Sequence, residues 1–498
     1  MNNKISRAKK FLFVIVGALL LAFAYPPFTT GFTAWFCLIP LFLVLDDETV
    51  WGSFIWGYIY GFLVAILGLW WIVYPTVPGM FMAVIYLGVY WAFFAAIYRL
   101  FLRIGKTVAF ISTPFLLVFM EYIRGMGRMG FPWQDLAYTQ TYYNKFIQIA
   151  DTLGSPGISF WVASLNVLIY IAFMSLLNKK IRSALYSILV LIMFIGGFWF
   201  YGYSTLKREI YDIDTLKVAL LQGNIDPYQK WERGKRHYSR EVYTDMIDSA
   251  ILHNPALIIM PESATAGYWR RKSTKFEVYV ERSLKSNIPI LTGTLDYNPR
   301  NRLEYYNAAY LINPNGKDQI YYKMQPVPIS EQIPWQEESK FLRNIDVGGS
   351  HFTRGEEPVV FELDSAKFSV PICYEALFSR ICRTFRKNGA QFIVAITNDG
   401  WFKRSPGSYQ NFRFNILRAI ENRVYIARAA NTGISAIIDQ YGRIERKTDI
   451  YKTEIILGEI GVAGDDLTFY TKYGNIVSWI SLGYVPILIF LVLFKGEK

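Results

Sequence analysis

Three side chains whose types suit nucleophilic catalysis each follow an apolar run typical of a β-strand. These are Glu262, Lys323 and Cys373. A thiol is an effective nucleophile, a carboxylate at the end of an apolar strand can accept its proton, and an ammonium group can stabilise an oxyanion. The three residues together predict nucleophilic catalysis by a cysteine, with a carboxylate as the base.

Taken singly, each residue also has an ordinary structural interpretation. Cys373 could be a small buried apolar residue, Glu262 one half of a surface ion pair, and Lys323 a solvated lysine. Their shared position at strand ends favours the functional interpretation, because functional groups of α/β sheets tend to lie just past the strands. A cysteine at the start of a helix also has its thiolate stabilised by free backbone N–H groups.

The elements that must position these residues follow an α/β pattern between Leu216 and about Tyr470. Short β-branched runs alternate there with longer amphipathic polar segments. We predict strands at 217–222, 256–260, 288–292, 308–312, 368–373, 392–397 and 435–439. We predict helices at 238–253, 275–286, 376–388 and 409–429.

The composition of the 498-residue chain indicates that this α/β region is joined to a membrane part. Hydrophobic residues make up 53% of the chain and charged residues 18%. A bilayer core of about 30 Å requires around 20 apolar helical residues per crossing. We predict eight spans, at 11–27, 32–46, 53–74, 80–102, 107–123, 157–177, 182–202 and 474–494. Because Pro26 and Pro27 separate the first two, a re-entrant pair is the alternative there.

The domain organisation follows from these spans. Residues 1–205 form a transmembrane domain of seven spans with a long outer loop at 121–157, residues 206–470 form the catalytic domain, and residues 471–498 form a last transmembrane helix. The loop combines glycines with aromatic residues, which is typical either of an interfacial aromatic belt or of a lid over the soluble domain. The basic first residues and Ala22–Ala24 also resemble a signal peptide, although the later spans favour an uncleaved helix.

The net charge of +13 does not indicate nucleic-acid binding. The excess of lysine and arginine flanks the apolar segments, and the middle region has no long basic run. By the positive-inside rule, both chain ends lie in the cytoplasm and the catalytic domain lies on the outer face. The three histidines, His237, His253 and His351, lack the spacing of metal ligands, so no metal site is predicted.

Several motifs around the three residues resemble one known superfamily. Pro261-Glu262-Ser263, Lys323 and Ile372-Cys373-Tyr374-Glu375 are similar to the Glu-Lys-Cys set of the nitrilase, or carbon-nitrogen hydrolase, superfamily. The segments 218–224, 397–402 and 418–433 match it as well. With spans on both sides of this domain, nearly the whole chain resembles the apolipoprotein N-acyltransferase family, whose long loop is also similar to 130–133 and 137–140.

The resemblance implies a fold, a reaction and a location. The fold is an α-helical transmembrane bundle with an extramembrane nitrilase-like αββα sandwich. A phospholipid, phosphatidylethanolamine, donates an acyl chain to Cys373, and the α-amino group of a lipoprotein's diacylglyceryl-cysteine accepts it. No cofactor is implied. The enzyme lies in the bacterial inner membrane, with its catalytic domain on the periplasmic side.

The resemblance also implies roles for residues around the site. Glu262 is the base, and Lys323 with the Tyr374 N–H stabilises the oxyanion. The two carboxylates that orient Lys323 and the cysteine loop are Glu331 and Glu375. Three aromatic residues, Trp231, Tyr374 and Trp401, shape the acyl entrance, although all three could equally be packing residues.

Two other functions remain open at this stage. A membrane-tethered amidase or nitrilase-type hydrolase would use the same three residues with water as the acceptor. A non-catalytic membrane receptor built on an inactive nitrilase domain is the second alternative, and the presence of Glu262, Lys323 and Cys373 argues against it.

Overall fold

The computed structural model of the protein forms two compact units. One unit comprises Met1–Val73, Val77–Arg208 and Tyr473–Lys498, and the other comprises Tyr74–Thr76 and Glu209–Lys472. The structure describes residues 5–208, 214–231, 236–265, 267–269, 274–301, 304–336 and 351–495.

Fourteen α-helices lie within the described residues. They are α1 (Arg7–Ala22), α2 (Ile39–Leu45), α3 (Val50–Leu69), α4 (Val77–Ile104), α5 (Lys106–Arg124), α6 (Asn144–Ile147), α7 (Ala150–Leu177), α8 (Ile181–Leu206), α9 (Arg236–Ile251), α10 (Thr274–Ser286), α11 (Ser379–Lys387), α12 (Pro406–Asn422), α13 (Phe469–Tyr473) and α14 (Ile476–Lys495).

Six helical segments of the described chain are long and apolar enough to cross a membrane, so this is a multi-pass membrane protein. They are Val50–Val73, Val77–Ile104, Lys106–Arg124, Ala150–Leu177, Ile181–Leu206 and Ile476–Phe494. The first two predicted spans correspond to shorter apolar segments. Helix α1 has 16 residues, and Gly31–Leu45 is also below the length of the six.

Helix α7 begins earlier than the sequence indicated. It starts at Ala150, whereas the predicted span starts at 157, so the stretch between α5 and α7 is shorter than the predicted loop 121–157. The helical segments continue across a kink at Gly154, where φ is 67°. Two aromatic residues of this stretch, Trp133 and Tyr138, are buried in the first unit and belong to its core.

Small residues allow close helix packing in the first unit. A Cβ atom on Gly57 of α3 would lie 2.5 Å from the Cβ of Ala95 on α4, as is common where membrane helices approach closely. The last helix joins the same unit, because Tyr484 of α14 hydrogen-bonds Ser112 of α5 at 2.8 Å. Its ring also packs on Phe115, with 5.0 Å between ring centroids. Helix α14 thus completes a bundle whose other helices come from the first 208 residues.

The second unit contains two six-stranded sheets. Its strands are β1 (Thr215–Gln222), β2 (Leu257–Ile259), β3 (Ile290–Tyr297), β4 (Tyr305–Ile312), β5 (Gln319–Tyr322), β6 (Phe361–Glu362), β7 (Lys367–Ser369), β8 (Phe392–Thr397), β9 (Ile426–Ala430), β10 (Ala436–Ile438), β11 (Ile444–Lys447) and β12 (Glu454–Gly461). The first sheet has the order β12-β1-β2-β3-β4-β5, and the second has the order β11-β10-β9-β8-β7-β6.

Each sheet has a parallel centre and antiparallel edges. Strands β1, β2 and β3 pair in parallel, and so do β7, β8 and β9. Helices α9 and α10 bury apolar residues such as Tyr243 and Tyr279 against the first sheet. Helices α11 and α12 contact the second sheet, and β1 contacts β9 across the interior. This is the expected αββα sandwich.

One predicted helix is wrong in its last third. The prediction ran from 409 to 429, but α12 ends at Asn422 and Arg423 has a left-handed backbone with φ of 48°. The chain then forms β9, Ile426–Ala430, which is completely buried. Because all five residues are buried, Arg428 included, the strand has no alternation of buried and exposed positions. Periodicity alone does not separate such a strand from a buried helix.

Candidate active site

The three predicted catalytic residues lie at strand ends in the second unit. Glu262 follows β2 and Lys323 follows β5 of the first sheet, while Cys373 follows β7 of the second. The charges of Glu262 and Lys323 both act on the Cys373 thiol. The sandwich therefore brings together residues that lie up to 111 positions apart in the sequence, from Glu262 to Cys373.

Glu262 is held by one hydrogen bond to each carboxylate oxygen. Its Oε1 accepts from Asn307 Nδ2 at 2.8 Å, and its Oε2 accepts from the backbone N–H of Asn398 at 2.9 Å. The residue is only 5% exposed. Strand β3 lies directly behind it, because a Cβ on Gly293 would be 2.5 Å from Glu262 Cα. The carboxylate is therefore fixed in position and shielded from water.

Lys323 lies between two carboxylates. Its Nζ donates to Glu331 at 2.9 Å and lies 3.6 Å from Glu262 Oε1. Burial opposes protonation of this lysine, but Glu331 and then Glu262 outweigh that effect and raise its pKa. Lys323 is thus a permanent ammonium ion, as an oxyanion-stabilising group must be. Glu331 is anchored in turn, because its Oε2 accepts from the Val327 N–H at 2.7 Å.

Cys373 has a backbone conformation that is rare for a residue with a side chain. Its φ is 51°, and it begins the short 3-10 turn Cys373–Leu377. Burial is the largest cause that raises the pKa of this thiol, followed by the charge of Glu262, while Lys323 acts in the opposite direction. The resting side chain is therefore a neutral thiol. A base must remove its proton before or during attack on a carbonyl carbon.

Glu375 joins the cysteine turn to the loop after Lys323. Its Oε2 accepts from the Ile372 N–H at 2.8 Å. Its Oε1 accepts from Tyr321 Oη at 2.8 Å and from the Met324 N–H at 2.6 Å. Burial raises the pKa of Glu375 to about 7. This carboxylate contacts the framework of both loops, which agrees with a supporting position.

The aromatic residues singled out from the sequence differ in their surroundings. Tyr374 is buried, and its ring packs edge-on against Phe378 with 5.1 Å between centroids. Trp401 packs in the same way against Tyr228 at 5.2 Å. Trp231 ends a single 3-10 turn, and its side chain lies outside the described part of the structure.

Several residues that line or support the site were not among the named site candidates, although two of them lie in the family-like segment 397–402. Asn307 lies in the middle of β4, and its Nδ2 also reaches Glu331 Oε1 at 3.3 Å. Next to the cysteine, Thr397 and Asp399 form a buried hydrogen-bonded group. A strand-end search could have found Thr397 and Asp399, since β8 ends at Thr397. Asn307 lies within a strand, so a search of strand ends does not find it.

A second lysine is buried near Glu262. Lys230 is 3% exposed, and burial lowers its pKa to about 7, with the charge of Glu262 opposing the shift. A buried lysine with that pKa can exchange a proton near neutral pH. Within the described residues, no group of three or more His, Cys, Asp and Glu side chains could hold a metal ion.

Comparison with known proteins places these features in one family. Residues 17–168 match the model described as the apolipoprotein N-acyltransferase N-terminal domain, and residues 217–464 match the carbon-nitrogen hydrolase model. An apolipoprotein N-acyltransferase of Geobacter metallireducens is 30% identical over 95% of this chain and 93% of its own length. The corresponding protein of Chlorobaculum tepidum is 29% identical over 97% and 96%. That of Thermotoga maritima is 25% identical over 98% and 94%.

The matches cover the helical unit and the two-sheet unit together, in the same order as in the relatives. A stand-alone carbon-nitrogen hydrolase would match only the second of these. The chain therefore belongs to the apolipoprotein N-acyltransferase family.

Proposed function

We propose that this membrane acyltransferase moves an acyl chain from a phospholipid to the α-amino group of the N-terminal diacylglyceryl-cysteine of lipoproteins. The relatives over nearly the full chain carry the name of that activity. The observation that carries the proposed mechanism is the pairing of Lys323 with Glu262 and Glu331. The charges of Lys323 and Glu262 in turn act on the Cys373 thiol.

In the first half-reaction Cys373 Sγ attacks the ester carbonyl carbon of the phospholipid. Glu262 takes the thiol proton as the carbon–sulfur bond forms, because the thiol is neutral at rest. The Lys323 ammonium and the Tyr374 N–H stabilise the oxyanion of the tetrahedral intermediate. When the carbon–oxygen bond breaks, Glu262 returns the proton to the leaving alcohol of the lysophospholipid. The product is a thioester on Cys373.

In the second half-reaction the lipoprotein's amine attacks the thioester carbon. Glu262 accepts a proton from the attacking nitrogen, and the same donors stabilise the second oxyanion. The carbon–sulfur bond then breaks, and Glu262 returns the proton to Cys373. An ester is a sluggish acyl donor toward an amine, so the thioester divides one difficult transfer into two easier ones.

The remaining site residues have supporting roles in this proposal. Glu331 orients Lys323 through the ion pair of 2.9 Å. Glu375 orients the cysteine turn through its bond to the Ile372 N–H. Trp231 and Trp401 shape the acyl entrance, and Trp401 is supported in that position by its packing on Tyr228.

The proposal also places the enzyme and its substrates. The donor is phosphatidylethanolamine, the acceptor is a diacylated apolipoprotein, and the catalytic domain, residues 206–470, lies on the periplasmic side of the inner membrane. Residues 1–205 and 471–498 are the two membrane parts. Lysine and arginine flanking the apolar helices support this orientation, such as Lys179 and Lys180 between α7 and α8 and Arg182 in the first turn of α8.

The experiment that tests the function uses the purified full chain in detergent with phosphatidylethanolamine and a diacylated lipopeptide. We expect an acyl adduct on Cys373 by intact-protein mass spectrometry, then its transfer to the peptide amine. The matched variant Cys382→Ala keeps the adduct, while Cys373→Ala loses it. An adduct that persists in Cys373→Ala contradicts the assigned nucleophile. Release of free acid without N-acylated peptide favours the hydrolase.

A further inference from the structure

Thr397 is the residue beside the nucleophile that the mechanism above does not use. Strands β7 and β8 are parallel neighbours, and Ile372 forms a bridge to Ile396 across them. The Ile396 N–H also donates to the Pro371 carbonyl at 3.3 Å. Cys373 and Thr397 are the residues that directly follow this bridged pair, so they are neighbours where the two chain segments leave the sheet. Thr397 is one of the groups that act on the Cys373 thiol, in the sense of a side-chain hydrogen bond that lowers the thiol pKa, and Thr397 is 2% exposed.

The hydroxyl of Thr397 also belongs to a buried polar group behind the thiol. Its Oγ1 donates to Asp399 Oδ1 at 2.9 Å, and it accepts from Asn411 Nδ2 at 3.3 Å. Asp399 has two further donors, Asn411 Nδ2 at 2.7 Å and Arg428 Nη2 at 2.9 Å. Asp399 therefore keeps a partner on each oxygen even if the hydroxyl of Thr397 turns away.

A hydroxyl has one hydrogen and two lone pairs, so it can respond to the charge of its neighbour. While Cys373 is a thiol, the hydrogen of Thr397 points to Asp399 and the oxygen can accept the S–H. When Glu262 has taken the thiol proton, rotation about Cβ–Oγ1 turns the same hydrogen to the sulfur. No O–H bond breaks, and Asp399 remains bonded to Asn411 and Arg428.

We propose that Thr397 is a positioning residue for the nucleophile, whose hydroxyl donates to the Cys373 thiolate and turns to Asp399 when the thiol is protonated. This inference rests on the proposed role of Cys373. Its direction agrees with the electrostatics, because the hydrogen bond from Thr397 acts to lower the thiol pKa, against the larger effects of burial and Glu262.

The test measures thiol reactivity without any lipid. Wild type, Thr397→Val and Thr397→Ser are alkylated with iodoacetamide across a pH series, and modification of Cys373 is followed by peptide mass spectrometry. Cys37 and Cys382 are completely buried, so they serve as internal references. Valine keeps the shape of threonine without the hydroxyl, and serine keeps the hydroxyl.

We expect Thr397→Val to react about tenfold more slowly at a given pH, with its profile shifted to higher pH by about one unit, since a hydrogen bond to a charged group is lost. Thr397→Ser should follow wild type. A Val profile equal to that of wild type overturns the proposal, and so does a Ser variant as slow as Val. Thr397→Ala repeats the comparison without the added methyl group, should valine not be accommodated.

The outcome is separable from the proposed function. Alkylation needs neither phospholipid nor lipopeptide, so a shifted profile supports the role of Thr397 even if no acyl adduct forms. Suppose instead that the acyl adduct forms at an equal rate in wild type and Thr397→Val, and that the pH profile of alkylation is unshifted. The acyltransferase mechanism is then unaffected, and the proposed rotation of the Thr397 hydroxyl between Asp399 and Cys373 is refuted.

Discussion

Asn307 stands between the two carboxylates that flank Lys323. One amide group donates to Glu262 at 2.8 Å and to Glu331 at 3.3 Å. Its backbone carbonyl also accepts from the Lys323 N–H at 2.9 Å. The side chain of one β4 residue thus contacts both carboxylates, and its backbone contacts the backbone of Lys323. Its contribution is to hold two like charges at fixed positions around one ammonium ion.

Replacing Asn307 by leucine, which has a similar size, should slow formation of the acyl-enzyme about 10²-fold. The cause is that Glu262 Oε1 loses its nearest donor, and a poorly positioned base is a poor catalyst. The measurement is single-turnover acylation of Cys373 followed by mass spectrometry. The control is Asn298→Leu, which removes a comparable bond to Glu304 away from the site. Equal rates for the two variants would contradict the assigned role.

Glu375 gives the folded protein a specific dependence on pH. Burial raises its pKa from 4.5 to about 7, so between these values the folded chain retains a proton that the unfolded chain has lost. Stability must then fall as the pH rises through that window, and the penalty is complete above pH 7. The magnitude is on the order of 3 kcal/mol, since one unit corresponds to about 1.4 kcal/mol.

The variant Glu375→Gln cannot titrate, so its thermal midpoint should change less than that of wild type between pH 4.5 and pH 7.5. Differential scanning calorimetry or fluorimetry in detergent measures both curves. Glu357→Gln, at an exposed carboxylate, is the control and should follow wild type. Parallel curves for wild type and Glu375→Gln would show that this carboxyl has an ordinary pKa in the folded chain.

At the scale of secondary-structure elements, most of what could be predicted about the site came from the strands. Short apolar runs that end in a polar residue indicated where Glu262, Lys323 and Cys373 would lie. A strand end can be recognised from residues that are adjacent in the sequence. Asn307 escaped notice since it sits within a strand, and only strand pairing brings it beside Glu262. Strand β9 was hidden for another reason. Its buried residues lack the alternation that distinguishes a strand from the end of helix α12.

Strand β3 positions Glu262 by close contact. A Cβ at Gly293 would lie 2.5 Å from Glu262 Cα and 2.6 Å from the Pro261 carbonyl oxygen. Both are backbone atoms of a loop that cannot yield without moving the base. Gly293→Ala should therefore destabilise the protein by about 1–3 kcal/mol and abolish most acylation of Cys373.

The comparison for Gly293→Ala is Gly464→Ala in the same unit, where an added Cβ meets no atom within 4 Å. That variant should keep wild-type activity and thermal midpoint. Activity retained in Gly293→Ala would mean that the loop of Glu262 can move without loss of function, and the close packing against β3 would then be incidental.

On the scale of the whole molecule, orientation in the membrane can be tested with single cysteines in a Cys373→Ala background. Leu252 is 83% exposed in the second unit, and Asn178 is exposed between α7 and α8. We expect Leu252→Cys to react with a membrane-impermeant maleimide in intact spheroplasts. Asn178→Cys should react only after permeabilisation, because the basic residues beside it favour the cytoplasm. The opposite pattern would place the catalytic domain in the cytosol.

Helix α14 has a consequence for how the protein is made. It packs on α4, α5 and α7, yet it leaves the ribosome only after every strand of the sandwich has been synthesised. Until then, the surface of α4, α5 and α7 that α14 covers has no last helix packed against it. A chain that terminates before Ile476 lacks α14, so truncation within the two-sheet unit also leaves the membrane bundle without its last helix.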